Sequence, residues 1–227
     1  MAQRTGGFDP AQIRAVIFDF DGTLAETNID FALMRERVLE VAARWGLADR
    51  LNPRRYILEI VDDAAALLSD EDARRFRAEA AQAMVEVELL STSVAAPFPG
   101  VPEALARLRA GGLRVGIITR NCRMGVASVI DRHPLEHEVL LTRDDVVRVK
   151  PDPEHLHRAL QAMGVPPHEA LMVGDHPTDI ETGKAAGTFT AGVLTAKTTR
   201  EQFEELGADL VLESVVALGE LLCPEGA

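Results

Sequence analysis

IRAVIFDF at residues 13–20, followed at once by Asp21-Gly22-Thr23, is the stretch on which the fold turns. It is short, apolar and rich in β-branched side chains, and it ends in a polar turn. A strand buried on both faces of a parallel sheet reads this way, because helices cover it above and below. Upstream, MAQRTGGFDPAQ has no apolar core long enough for a secretory leader.

Downstream the texture changes. Residues 29–45, 53–68 and 70–90 have helical spacing, many Ala, Leu, Arg and Glu, and almost no β-branched runs. Pro53 and Ser69-Asp70 mark helix starts. An all-helical cap is therefore expected over 26–96, closed by Pro97-Phe98-Pro99-Gly100, with 1–25 and 97–227 forming the core.

From there strands and helices alternate. Helices are expected at 101–110, 123–132, 153–163, 177–186 and 214–222, and strands at 113–119, 138–142, 170–174, 188–194 and 208–212. Short connections between them imply an α/β fold: a doubly wound, Rossmann-like parallel sheet with helices on both faces.

Composition narrows the function. A formal net charge of −12 disfavours nucleic acid and anionic membrane as partners. No apolar run reaches the ~18 residues of a membrane helix. Cys122 and Cys223 lack metal-type spacing, which suggests neither a zinc site nor a disulfide framework and points to a reduced, cytoplasmic compartment. A monomer or homodimer is expected. Lysine occurs only at 150, 184 and 197, so a lysine among candidate site residues is an unusual choice in this chain.

Ligands of open parallel sheets bind at the carboxyl ends of the strands. Asp19, Asp21 and Thr23 follow the first strand; Thr119, Arg120 and Asn121 the second; Asp175 and Asp179 the fourth. Lys150-Pro151 lies in the loop after the third. Clustered carboxylates raise one another's pKa, and a hard divalent cation removes the conflict. A lysine, a hydroxyl and free backbone amides suit phosphoryl oxygens. The expectation is a site for Mg²⁺ and a small phosphorylated metabolite. Taken singly, each residue has a plainer reading: Asp19 as a turn cap, Lys150 as a solvated loop residue, Asp175 and Asp179 as an N-cap and a first-turn acid. Their joint placement at strand ends favours the site.

The ordered set Asp19-Phe20-Asp21-Gly22-Thr23, Ile118-Thr119-Arg120-Asn121, Lys150-Pro151-Asp152-Pro153 and Val173-Gly174-Asp175-His176-Pro177-Thr178-Asp179 resembles the four motifs of the haloacid dehalogenase superfamily. It is similar to the branch with a helical cap after the first motif, which includes phosphoglycolate phosphatase. The resemblance implies Asp19 as nucleophile and metal ligand, and Asp21 as general acid and base whose backbone carbonyl binds the metal. It implies Thr119 and neighbouring amides as phosphate ligands, Lys150 as charge neutraliser, Asp175 as metal ligand, and Asp179 as the residue orienting a metal-bound water or Lys150. Arg120 is a candidate phosphate ligand or a helix-start arginine. Relatives that cleave haloacids lack the second aspartate, so Asp21 favours phosphate over halide. His176 reads as a loop residue at the site edge, and Cys122 as a small buried residue.

Substrate choice is expected from the cap, which holds 14 acids and 9 arginines and no lysine or histidine. Arg50, Arg54 and Arg55, between its first two helices, are candidate anion readers or solvated helix-end residues. A phosphosugar mutase is the rival enzyme. Such relatives carry histidine and lysine in the linker, where Ala25-Glu26-Thr27-Asn28-Ile29-Asp30 has neither. A non-catalytic binding protein on this fold would be expected to lack Asp19, Asp21 or Lys150, and all three are present.

Overall fold

The computed structural model describes residues 8–224 and the backbone of Gln3–Arg4. Of the N-terminal stretch 1–12, residues 1, 2 and 5–7 lie outside the described residues. In chain order the strands are β1 (Gln3–Arg4), β2 (Ala15–Phe18), β3 (Ala25–Glu26), β4 (Ala96–Pro97), β5 (Arg114–Ile118), β6 (Val139–Leu141), β7 (Ala170–Gly174), β8 (Phe189–Val193) and β9 (Leu210–Leu212). The helices are α1 (Phe31–Arg44), α2 (Ile57–Ala65), α3 (Asp70–Thr92), α4 (Val101–Ala110), α5 (Arg123–Ile130), α6 (Glu154–Met163), α7 (Pro177–Ala186), α8 (Arg200–Glu205) and α9 (Val215–Leu222).

The main sheet runs β1-β9-β8-β7-β2-β5-β6. Six strands are parallel, and the two-residue β1 pairs antiparallel on the edge with β9. β2 lies at the centre. Alternate residues of β2 feed two cores: Val16 and Phe18 pack with Leu105, Leu108, Val115 and Val173, while Ala15 and Ile17 pack with Leu156, Leu160 and Met172. This is why the decisive stretch is apolar throughout rather than alternating. Register places Phe18 beside both Ile117 and Val173. The chain therefore leaves β2, β5 and β7 at one level, and Asp19, Thr119 and Asp175 share one sheet edge.

Asn28–Val94 forms a compact unit of its own. Its core joins Val38 and Val41 of α1, Ile60 and Val61 of α2, and Phe76, Ala80 and Met84 of α3. Truncating fully buried Phe76 to alanine would cost this unit about 3–5 kcal/mol. Asp30 and Ser69 cap α1 and α3 by accepting from Leu33 N and Asp72 N. The second helix starts at Ile57 rather than 53. Arg35 Nη1 donates to the Pro53 and Arg55 carbonyls and holds 53–55 as a turn. Sequence spacing also missed β1, the β3–β4 ribbon and α8. Of the six residues of α8 only Phe203 is buried, so it shows almost no apolar stripe. Among the described residues, no helix is long and apolar enough to cross a membrane.

Candidate active site

Asp19 leaves β2 with its backbone N–H still paired to the Val173 carbonyl at 2.9 Å. Its Oδ1 accepts from Phe20 N at 2.6 Å and from Lys150 Nζ at 2.7 Å. Lys150 Nζ also donates to Asp179 Oδ1 at 2.7 Å, and the Lys150 side chain is 1% exposed. Burial alone would pull its pKa down. The carboxylates of Asp179 and Asp19 overcome that and hold the ammonium above its usual range.

Asp175 follows β7 on the neighbouring strand. Its Oδ1 accepts from Thr23 Oγ1 at 2.6 Å. Asp179, in the first turn of α7, gives Oδ1 to Lys150 and Oδ2 to the His176 N–H at 3.1 Å. The carboxylates of Asp19, Asp175 and Asp179 come within 4.8 Å of one another, all buried. Burial, then the Asp19 and Asp179 charges, push Asp175 up to about 8; burial likewise raises Asp179 to about 6, against the pull of Lys150. One ammonium cannot balance three carboxylates. The surplus negative charge and all-oxygen donor set fit a hard divalent cation.

Two glycines let these groups meet. Gly22 has φ +81°, and a side-chain carbon there would lie 2.6 Å from Asp175 Oδ2. At Gly174 it would lie 2.0 Å from Asp179 Oδ2.

Asp21 stands apart from the trio. Its Oδ2 accepts from Thr119 Oγ1 at 3.0 Å, its Oδ1 from Asn121 Nδ2 at 2.9 Å, and the Thr27 side chain donates as well. Burial and the Asp19 charge raise it to about 6 despite these donors. A carboxyl poised there can both give and take a proton near neutral pH. Thr27 is a partner of Asp21 that sequence reasoning passed over, and Asn121 was placed at the strand end without a role. Asn121 stood inside a quoted motif, but nothing in its spacing showed where its amide points.

Thr119 is fully buried, and its N–H bonds the Leu141 carbonyl at 3.0 Å. Arg120 is half-buried, and its carbonyl accepts from Arg143 Nη1 at 3.1 Å. His176 is the N-cap of α7, its Nδ1 accepting from Thr178 N at 3.3 Å. Cys122 is buried and caps α5 through Sγ and Gly125 N. Outside this unit, Arg55 pairs with Glu59 and Asp63 within its own helical unit.

The sequence profile of the haloacid dehalogenase-like hydrolases matches residues 13–187, more than half the chain. The chain belongs to that family. This hydrolase is 32% identical to the pyrophosphatase PpaX of Bacillus pumilus, over 95% of its length and 97% of that protein. It is 31% identical to the N-acetylmuramic acid 6-phosphate phosphatase of Pseudomonas aeruginosa, over 80% of its length and 82% of that protein. Among solved structures it resembles CbbY from Rhodobacter sphaeroides in complex with phosphate, with a TM-score of 0.63 and 25% identity, covering 91% of this chain and 96% of that one. It is thus a phosphatase of the haloacid dehalogenase-like family.

Proposed function

We propose that the hydrolase cleaves a small phosphate monoester in a Mg²⁺-dependent reaction through an aspartyl-phosphate on Asp19. The observation that carries this reading is the division of labour between two aspartates two residues apart. Asp19 sits against Lys150 at 2.7 Å, while Asp21 is held by neutral donors with its carboxyl raised to about 6. An Asp19 oxygen attacks phosphorus as the bond to the leaving oxygen breaks, and Asp21 gives its proton to that oxygen. Asp21, now a carboxylate, takes a proton from water, whose oxygen attacks the same phosphorus. The bond to Asp19 breaks, and inorganic phosphate leaves. A carboxylate nucleophile thus splits one hydrolysis into two easier transfers.

Lys150 neutralises charge on Asp19 and on a phosphoryl oxygen. Arg120 and Thr119, the latter with its hydroxyl turned from Asp21 to the phosphoryl group, would hold the remaining oxygens. Asp19, Asp175 and the Asp21 backbone carbonyl would hold Mg²⁺, with Asp179 orienting Lys150. When bound, the ion supplies the charge neutralisation that phosphoryl transfer chiefly needs.

A phosphoanhydride is the second reading of the substrate, because the relative from Bacillus pumilus, matched over nearly the whole chain, is a pyrophosphatase. Turnover of purified protein against sugar phosphates, phosphoglycolate, nucleoside monophosphates and inorganic pyrophosphate, with Mg²⁺ and with chelator, tests both. The monoester reading expects an ester to be the best substrate and chelator to abolish turnover. Preference for pyrophosphate would select the second reading, and inactivity towards all would refute both.

A further inference from the structure

Asp21 has three donors, and one of them is itself built into place. Asn121 Nδ2 reaches Asp21 Oδ1 at 2.9 Å, while Asn121 Oδ1 accepts from Cys122 N at 2.8 Å. A backbone N–H can bond only the oxygen of the amide, so this second contact decides which end of Asn121 faces Asp21. The Asn121 N–H donates to Thr119 Oγ1 at 3.0 Å, and that hydroxyl in turn donates to Asp21 Oδ2 at 3.0 Å. Arg143 steadies the same turn from below: its N–H reaches the Asn121 carbonyl at 3.3 Å and its Nη1 the Arg120 carbonyl at 3.1 Å. Helix α5 makes room. A side-chain carbon at Gly125 would lie 2.7 Å from Asn121 Oδ1.

We propose that Asn121 is a positioning residue that fixes the carboxyl of Asp21 for proton delivery to the leaving oxygen, with Gly125 as the gap that admits it. The proposal rests on the reading of Asp21 as acid and base. Without the Asn121 amide, the Asp21 carboxyl is free to turn on Thr119 and Thr27 alone. The hydrogen bonds of Asn121 go to Asp21, Thr119, Cys122 and Arg143, and not to Asp19, Asp175 or Lys150. The loss should therefore fall where a proton is needed and not on binding.

Leaving groups separate these effects. An aryl phosphate with an acidic phenol departs without a proton, whereas an alkyl phosphate needs one. The test measures kcat/KM in Mg²⁺ for both esters, with KM and thermal midpoint recorded beside it. For Asn121→Ala the expected fall is about ten- to a hundredfold on the alkyl ester, a part of the ~10²–10⁴ typical of general acid–base catalysis. On the aryl ester kcat/KM should stay within about threefold, while kcat and KM fall together as the shared aspartyl-phosphate is hydrolysed more slowly. If that variant does not fold, Gly125→Ala decides, since alanine suits a helix and crowds Asn121 without removing any polar group. It should show the same selectivity, reduced in size. Equal losses on both esters, or none, would overturn the proposal while leaving an active wild-type phosphatase. A wild-type protein inactive on both esters would instead bring down the functional reading and this proposal with it.

Discussion

Lys150 Nζ and Asp19 Oδ1 lie 2.7 Å apart, and both side chains are almost wholly out of water. The lysine comes from the loop after β6 and the aspartate from the end of β2, 131 positions earlier. Asp179, on Lys150's other flank at 2.7 Å, completes a buried triad of two acids and one base. Removing one member of such a group leaves an uncompensated buried charge, which typically costs about 3–5 kcal/mol. Lys150→Met should lower the unfolding free energy of chelator-treated protein by that order in urea titration. Phosphatase activity should vanish with it. An unchanged urea midpoint would show that the lysine does not balance these acids.

Gly174→Ala should act through Asp179. The added carbon would meet the Asp179 carboxylate at 2.0 Å and its Cβ at 2.4 Å, against a helix and a strand that are both packed. Overpacking of this kind typically costs about 1–3 kcal/mol. Calorimetry should read it, together with weaker Mg²⁺ binding by titration. A variant with wild-type stability and affinity would mean that α7 yields freely.

The acids set a pH dependence with a definite sign. Asp175 is raised to about 8 and Asp179 to about 6, above the ~3.9 of an unfolded aspartate. Between about pH 4 and 8 the native chain therefore binds more protons at these two groups than the unfolded chain does. Their contribution to stability is present at low pH and is lost as pH rises through those values. A divalent cation replaces the protons. The gain in thermal midpoint from Mg²⁺ should be small at pH 5 and largest near pH 8.5. A gain that shrank over that range would contradict the assignment.

In the helical unit the three candidate arginines differ. Arg55 is committed to Glu59 and Asp63, whereas the side chains of Arg50 and Arg54 make no ion pair among the described residues. If the helical unit reads an anionic group of the substrate, Arg54→Ala or Arg50→Ala should raise KM for the best substrate and leave a plain aryl phosphate unaffected. The loss of one charge-assisted hydrogen bond, roughly 1.5–3 kcal/mol, corresponds to about ten- to a hundredfold in kcat/KM. Steady-state kinetics on both substrates reads the difference, and two silent variants would place specificity elsewhere.

Much of the fold is legible from residue order, for physical reasons. β2 is covered on both faces, so its residues are apolar without alternation, and the acid that follows marks the strand's end. α4, β7 and α7 can be read to the residue from Gly111, Gly174 and Gly187, which stop each element. What escaped was small or turned on side-chain direction. β1 has only two residues, and α8 buries only Phe203. The Asn121–Asp21 bond joins positions 100 apart, and its direction depends on the Cys122 N–H that holds the other end of the amide. His176, which lies between two acids in sequence, is used as a helix cap.

The covalent step on Asp19 is the centre of the account. Acid quench during turnover, followed by borohydride reduction and peptide mass spectrometry, converts an aspartyl-phosphate to homoserine and reports its position. The account predicts homoserine at position 19, dependent on Mg²⁺ and on substrate, and absent from Asp19→Asn. Homoserine at any other position, or sustained turnover by Asp19→Asn, would contradict it.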